Sequence, residues 1–327
     1  MMETLEAAEL CFPRLLNMSC RKPTRSHAGV ILFYFLSFIS LLTATLNLLV
    51  IISISHFRQL HTTTNLALLS LAVSDFLVGL VVMPGEIILT ETCWFLDDVT
   101  CAVYYLLPFI IISASAASMV FISVDRYVAI CSPLQYPTKV TLKRVRVCVS
   151  LCWIYAFLVS ILLMYDHLKQ PGRYNSCSGE CVVNISGDLD LVFNFIIPIS
   201  IIIALYLRVF VVAVSQARAM RSHMAAVTLG PPQAVTAKRS ELKAARTLGI
   251  VVAVFLLCYC PYYCVSLTDG KIMIGSAAEA FMSFLMYFNS CLNPVIYALF
   301  YPWFRKAIRL IVTLQVMQPG SRDTNIL

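Results

Sequence analysis

Residues 28–55, AGVILFYFLSFISLLTATLNLLVIISIS, contain no Asp, Glu, Lys, Arg or His. A helix that crosses a bilayer needs about 20 mostly apolar residues, so this stretch is long enough to span a membrane. Four more charge-free runs follow, Val99–Val124, Val147–Tyr165, Thr247–Thr268 and Ala280–Phe304. Thr62–Gly85 qualifies with the single internal charge Asp75, and Leu191–Ala217 qualifies with Arg208 near one end. The expected fold is an all-α membrane protein, a bundle of seven transmembrane helices.

Composition leads to the same class. Of the 327 residues 60% are hydrophobic and only 13% charged, whereas soluble domains run near ~45–50% and ~25%. So few charges cannot clothe a soluble globule of this length. With 11 glycines, 14 prolines and long apolar runs, the chain fits neither disordered, collagenous nor disulfide-knot compositions. No stretch alternates apolar and polar residues as a membrane barrel does, and no repeat of 20–50 residues is visible.

Seven spans put the two termini on opposite sides, and loop charges orient them. Locally the signal is mixed, because Arg21, Lys22 and Arg25 precede the first span while only Arg58 closely follows it. Over the whole chain, an extracellular N-terminus leaves 17 of the 24 basic residues inside and 13 of the 17 acids outside or in outer half-spans. The N-terminus is therefore read as extracellular. Both glycosylation triplets, at Asn17 and Asn184, then lie outside. Residues 1–27 contain no apolar run followed by a small-residue cleavage site, so the first span itself is expected to direct insertion.

The expected organisation is an extracellular segment over 1–27, a seven-span domain over 28–300, and a surface helix with a short cytoplasmic tail over 301–327. The long connections are Asp166–Gly187 outside and Arg218–Ser240 inside, the latter broken by Gly230-Pro231-Pro232. After the seventh span, Phe304, Ile308 and Ile311 share one helical face and Arg305, Lys306 and Arg309 another, the pattern of a helix lying on the inner membrane surface.

Polar residues inside a membrane are costly and are functional candidates by default. Asp75 sits mid-span, and Ser115, Asn289 and Ser290 lie at similar depth on other spans. Together these oxygens could hold a small cation such as sodium, although a hydrogen-bonded packing carboxylate is an equal reading. Asp125-Arg126-Tyr127 ends the third span and Glu241 begins the sixth. An arginine paired with an acid on another helix makes an exchangeable link that could open the cytoplasmic face. Pro198, Pro261 and Pro294 give the spans hinge points.

These residues carry a resemblance. Asn47, Leu71-Ala72-Val73-Ser74-Asp75, Asp125-Arg126-Tyr127, Trp153, Pro198 with Tyr206, Phe255 with Pro261, and Asn293-Pro294-Val295-Ile296-Tyr297 together resemble the rhodopsin-like G-protein-coupled receptors across all seven spans. Within that class, the run from Asn289 to Phe304 is similar to the signature of the trace amine-associated receptors, olfactory sensors of amines. The resemblance implies a small amine ligand outside, a heterotrimeric G protein of stimulatory or olfactory type with cyclic AMP output inside, and a plasma-membrane location in olfactory sensory neurons. It assigns activation roles to Asp125, Arg126, Glu241, Tyr206, Phe255, Tyr259, Asn293, Pro294 and Tyr297. It also implies disulfides Cys101–Cys181 and Cys20–Cys177. Cys258, Cys260, Cys264 and Cys291 lie within spans and read as free packing thiols.

Two departures from that family pattern matter. Amine receptors of this class usually carry an aspartate five helical turns outward of the arginine on the third span. Here the position, 18 residues before Arg126, is Pro108. Tyr259 stands where the family generally has tryptophan. A branch of the family that lacks the third-span acid carries an aspartate on the fifth span, and Asp190 matches it, two turns outward of Pro198. Asp188 reads as a solvated acid nearer the loop. Glu86 and Glu279 could meet a second ammonium, or could simply be rim acids. Tyr262 and Tyr287 match family pocket positions, and Phe109 and Tyr263 could add aromatic lining, with plain packing the alternative.

The reading is thus a chemosensory receptor for a protonated amine or diamine. A non-amine odorant receptor is the nearer alternative and a seven-helix transporter or channel the more distant one. Carboxylates at Glu86, Asp190 and Glu279 disfavour an anionic ligand. The seventh span has no lysine for a retinal Schiff base, and no inverted repeat suggests a transporter. No nucleophile–base pair or metal-spaced set on the spans supports an enzyme. No cofactor is expected beyond the sodium ion, and no nucleic-acid partner.

Overall fold

The computed structural model describes residues 10–15, 18–22, 27–183, 185–226, 247, 249–264 and 277–326. The first span is His27–His56. The second comprises Thr63–Leu77, a π turn at Val78–Val82, and Met83–Glu91. The third is Asp98–Cys131 and the fourth Leu142–Leu163. The fifth runs through Gly187–Asp190, a second π turn at Leu191–Ile196, and Ile197–Ala226. The sixth is described over Gly249–Cys264 and the seventh over Ala277–Phe300. Six of these are long and apolar enough to cross a membrane, and the described part of the sixth span is a shorter apolar helix.

Each π turn ends one residue short of a proline, Pro84 or Pro198. Proline brings no N–H, and its ring collides with the carbonyl four residues back. Widening the preceding turn resolves the collision. Met83 N–H then bonds Val78 C=O and Ile197 N–H bonds Val192 C=O, each five residues back. Capping fixes where the helices begin. The side chains of Thr62, Asp97 and Thr141 accept from the amides of Asn65, Thr100 and Arg144 at the starts of spans two, three and four.

Span ends differ from the sequence reading for a physical reason. A charge-free run measures the lipid-buried length, but a helix continues as long as its backbone groups stay bonded. The third span therefore reaches Cys131 rather than stopping at Val124, carrying Asp125 and Arg126 in its last turns. The fourth begins at Leu142 rather than Val147 and includes Lys143, Arg144 and Arg146. The seventh ends at Phe300, four residues before its charge-free run does. Tyr301 is extended ahead of Pro302, which starts the surface helix Pro302–Val312.

The third span lies at the centre, packed on spans two, four and five, while span one packs on two, seven and the surface helix. Phe57, Leu71, Met119, Ile202, Phe255, Tyr297 and Phe304 form the buried core between spans. The surface helix buries Trp303, Phe304 and Ala307 and exposes Arg305, Lys306 and Arg309. Beyond it the tail returns to the inner end of span one. Ile326 is buried there, and its N–H donates to Gln59 Oε1 at 3.1 Å.

Candidate ligand site and transmission network

The outer end of the bundle is stapled by disulfides. Cys101–Cys181 and Cys20–Cys177 are both formed, and a third bridge, Cys11–Cys93, was not anticipated. Together they tie the N-terminal segment, the outer end of span two and the long outer loop into one cap. All three lie at the end of the bundle assigned to the oxidising side. Within the cap a cavity of about 510 Å³ opens among Phe12, Trp94, Asp97, Asp98 and Glu180. Asp97 accepts from the Thr100 hydroxyl and amide, which hold its carboxyl below the usual range. Cations approaching from outside therefore meet carboxylates before they reach the bundle.

Below the cap, Asp190 is buried at 8% exposure in the first turn of span five, whereas Asp188 is exposed. Burial follows from the helical period, because the two residues face different sides of the turn. Asn194, one turn on, donates from Nδ2 to Asp190 Oδ1 at 2.8 Å, and the Tyr263 hydroxyl is a second donor. Phe195 stacks on Tyr263 with centroids 4.5 Å apart, and Tyr262 meets Tyr263 edge-on at 5.1 Å. The carboxylate thus has neutral donors and aromatic faces around it, and no ion-pair partner among the described residues. Pro108, at the position the family usually gives to its third-span acid, is buried and offers no charge.

Glu86 on span two is half-buried and also lacks an ion-pair partner among the described residues. Tyr104, Tyr105 and Tyr287 lie within range of its charge, and Tyr287 is likewise within range of Tyr262. Tyr105 donates to the Cys181 carbonyl at 3.4 Å, joining this wall to the outer loop. Tyrosines therefore connect the surroundings of Glu86 to those of Asp190. Phe109 is half-buried on span three. Glu279 belongs to the first turn of the seventh-span helix, with its side chain outside the described residues.

Deeper in the bundle, Asp75 is fully buried. It accepts from Ser290 Oγ and Asn293 Nδ2 at 2.8 Å each and from Ser115 Oγ at 3.5 Å. Asn289, next to Ser290 in the sequence, is buried with neither amide atom hydrogen-bonded among the described residues. Tyr259, packed on Phe255 at 4.1 Å, hydrogen-bonds Ser115 through its hydroxyl. One serine therefore links Tyr259 on span six to Asp75 on span two. The Tyr206 and Tyr297 hydroxyls are buried and unbonded among the described residues.

At the inner end Arg126 donates to Asp125 and to Thr64 Oγ1, and Tyr136 donates to Asp125 Oδ1 at 2.8 Å. Burial and the Asp125 charge push the Tyr136 phenol up, which keeps it a donor. Glu241, expected to pair with Arg126, lies outside the described residues, as do Asn17 and Asn184.

The comparisons with known proteins agree with this architecture. Residues 46–297 match the 7 transmembrane receptor (rhodopsin family). Trace amine-associated receptor 13c of Danio rerio is 38% identical, aligned over 98% of this chain and 97% of its own. Trace amine-associated receptor 6 of Homo sapiens is 38% identical over 98% and 96%, and trace amine-associated receptor 1 of Mus musculus 38% over 90% and 92%. The chain belongs to the trace amine-associated receptor family. It is a multi-pass plasma-membrane receptor and not an enzyme, placed between a small ligand outside and a heterotrimeric G protein inside.

Three features of this receptor's architecture carry no sequence signal of their own, the Cys11–Cys93 bridge, the Tyr136 donor and the contact of Tyr259 with Ser115. Cys11 and Cys93 are 82 residues apart, and nothing in that spacing pairs them. Tyr136 is on a short inner loop, where a tyrosine carries no periodic signal. Tyr259 is legible as a departure from the family, but the reach of its hydroxyl to Ser115 depends on how spans three and six pack.

Proposed function

We propose that this receptor senses a protonated amine or diamine held in the outer half of the bundle, with Asp190 as the ammonium counter-ion. It then activates a stimulatory or olfactory-type G protein that raises cyclic AMP, in the setting of olfactory sensory neurons. One observation carries the reading. Asp190 is a buried carboxylate with neutral donors, aromatic neighbours and no protein cation among the described residues. Burying an unpaired charge is strongly unfavourable, so a site of this kind is completed by a cation from outside. The Phe195, Tyr262 and Tyr263 rings suit an alkylammonium, which gains cation–π attraction as well as the charge-assisted bond. Glu86, across the tyrosine wall, is the candidate partner for a second ammonium. The trace-amine names of the relatives support the same ligand class.

The test is a cyclic AMP readout against mono-, di- and polyamines, with carboxylic acids and neutral odorants as controls. Asp190→Asn preserves shape and removes charge. Its amine response should weaken by the ~2–5 kcal/mol typical of breaking a buried charge pair, a loss of tens- to thousands-fold. Asp188→Asn should change potency little. An unchanged half-maximal concentration in surface-expressed Asp190→Asn would remove the counter-ion assignment.

We also infer an allosteric sodium ion at Asp75. The donor set fits, since Asp75, Ser115 and Ser290 supply hard oxygen ligands and the orphaned Asn289 amide oxygen a further one. Replacing sodium by a bulky organic cation should shift amine potency in the wild type and leave Asp75→Asn unaffected. Equal shifts in both would exclude Asp75 as the ligand.

A further inference from the structure

Asn194 carries an acceptor that has no donor. Its side chain is buried at 3% exposure in the π turn of span five, and its Nδ2 donates to Asp190 Oδ1 at 2.8 Å. An ionised carboxylate only accepts, so the amide nitrogen must face it and the amide oxygen must face elsewhere. That oxygen, Asn194 Oδ1, is fully buried and unbonded among the described residues. Buried acceptors are normally paired, because leaving one without a donor is costly. The turn that carries it is braced from span four, where the Tyr155 hydroxyl donates to the carbonyl of the preceding residue, Phe193, at 2.9 Å. The oxygen and nitrogen of an amide are about 2.3 Å apart, so Asn194 Oδ1 lies no more than about 5 Å from Asp190 Oδ1. A single nitrogen that donates over about 2.7–3.2 Å to each of two acceptors can bridge such a gap.

We infer that Asn194 Oδ1 is the second acceptor for the bound ammonium, so that the receptor selects primary and secondary amines against tertiary and quaternary ones. The inference rests on Asp190 as the counter-ion. A primary or secondary ammonium has at least two N–H groups, one for the carboxylate and one for the amide oxygen. A tertiary ammonium has one, which the carboxylate takes, and it turns a carbon toward Asn194 Oδ1. A quaternary ammonium has none. The aromatic rings near Asp190 attract every cation in such a series. The amide oxygen attracts only those with an N–H to spare, so it sets the discrimination between them.

The probes are methylammonium, dimethylammonium, trimethylammonium and tetramethylammonium chlorides, added at constant ionic strength to purified full-length receptor. Apparent affinity is read from the concentration dependence of the melting temperature. In the wild type it should hold from methylammonium to dimethylammonium and then fall about tenfold at trimethylammonium, roughly the effect of leaving one buried acceptor unpaired. Asn194→Leu keeps the side-chain volume and removes the amide oxygen. It should weaken the first two probes about tenfold, leave trimethylammonium near its wild-type value and so erase the step. Asp190→Asn should weaken methyl-, dimethyl- and trimethylammonium together. A smooth trend with added methyl groups in the wild type, or a step that survives in Asn194→Leu, would overturn the selectivity and leave the counter-ion in place. Stabilisation that Asp190→Asn does not weaken, or no stabilisation of the wild type by any probe, would remove the counter-ion and this inference with it. If Asn194→Leu fails to fold, the presence or absence of the step in the wild type decides alone.

Discussion

Tyr259 shows how much one side chain can alter a shared architecture. The family generally places tryptophan here, and an indole ring fills space without a hydroxyl. The Tyr259 hydroxyl instead bonds Ser115, which in turn donates to Asp75. A change at Tyr259 can thus reach the deep carboxylate through polar contacts as well as through ring packing. Arg126 is drawn back onto Asp125 and Thr64, the arrangement expected of a resting receptor if the arginine acts as the switch. A buried neutral hydrogen bond contributes about 0.5–1.5 kcal/mol net. Tyr259→Phe keeps the ring and removes that bond, and should raise the active fraction about two- to tenfold. Ligand-free nucleotide exchange on G protein, at matched surface expression, reads this directly. Basal exchange equal to wild type would mean that the hydroxyl plays no part in holding the resting state.

At the scale of elements, the spans were legible and their interruptions were not. Seven apolar runs stand out in the sequence because lipid admits few charges, and that signal needs no tertiary information. The surface helix was also legible, since Phe304 and Arg305, adjacent in sequence, must face opposite media. The π turns at Val78–Val82 and Leu191–Ile196 were invisible. A proline announces that a helix will be disturbed, but packing decides between a kink, a widened turn and an undisturbed course. Pro108 and Pro294 lie inside continuous helices, while Pro84 and Pro198 follow π turns. The π turn of span five has a functional consequence, because it lies between Asp190 and Pro198 and rotates the outer turn relative to the rest of the span. Counting back in steps of 3.6 residues puts Asp190 two turns outward of Pro198, but it cannot give the direction in which the carboxylate points.

Across the whole molecule, polar groups form three layers between the outer end and the inner end of the bundle, Asp190 with Asn194 and Tyr263, Asp75 with Ser115, Ser290 and Asn293, and Asp125 with Arg126, Thr64 and Tyr136. The innermost layer holds the arginine most firmly. Arg126 and Asp125 side chains are 9% and 1% exposed, so their pairing is nearly free of solvent screening. Removing one partner of a buried pair typically costs 3–5 kcal/mol because the other charge is stranded, whereas a solvated pair contributes about 0–1 kcal/mol. A neighbouring Asp125 that is already bonded through both oxygens therefore restrains Arg126 more than an acid reached across the cytoplasmic opening would. Asp125→Asn leaves Arg126 buried without its counter-charge, and the arginine regains solvation only by swinging toward the cytoplasm, the movement that opens the G-protein face. Ligand-free nucleotide exchange should rise strongly in Asp125→Asn and modestly in Glu241→Ala, with the double variant close to Asp125→Asn alone. The reverse order, Glu241→Ala exceeding Asp125→Asn at equal surface density, would place the main restraint between spans three and six instead of within the Asp125–Arg126 pair.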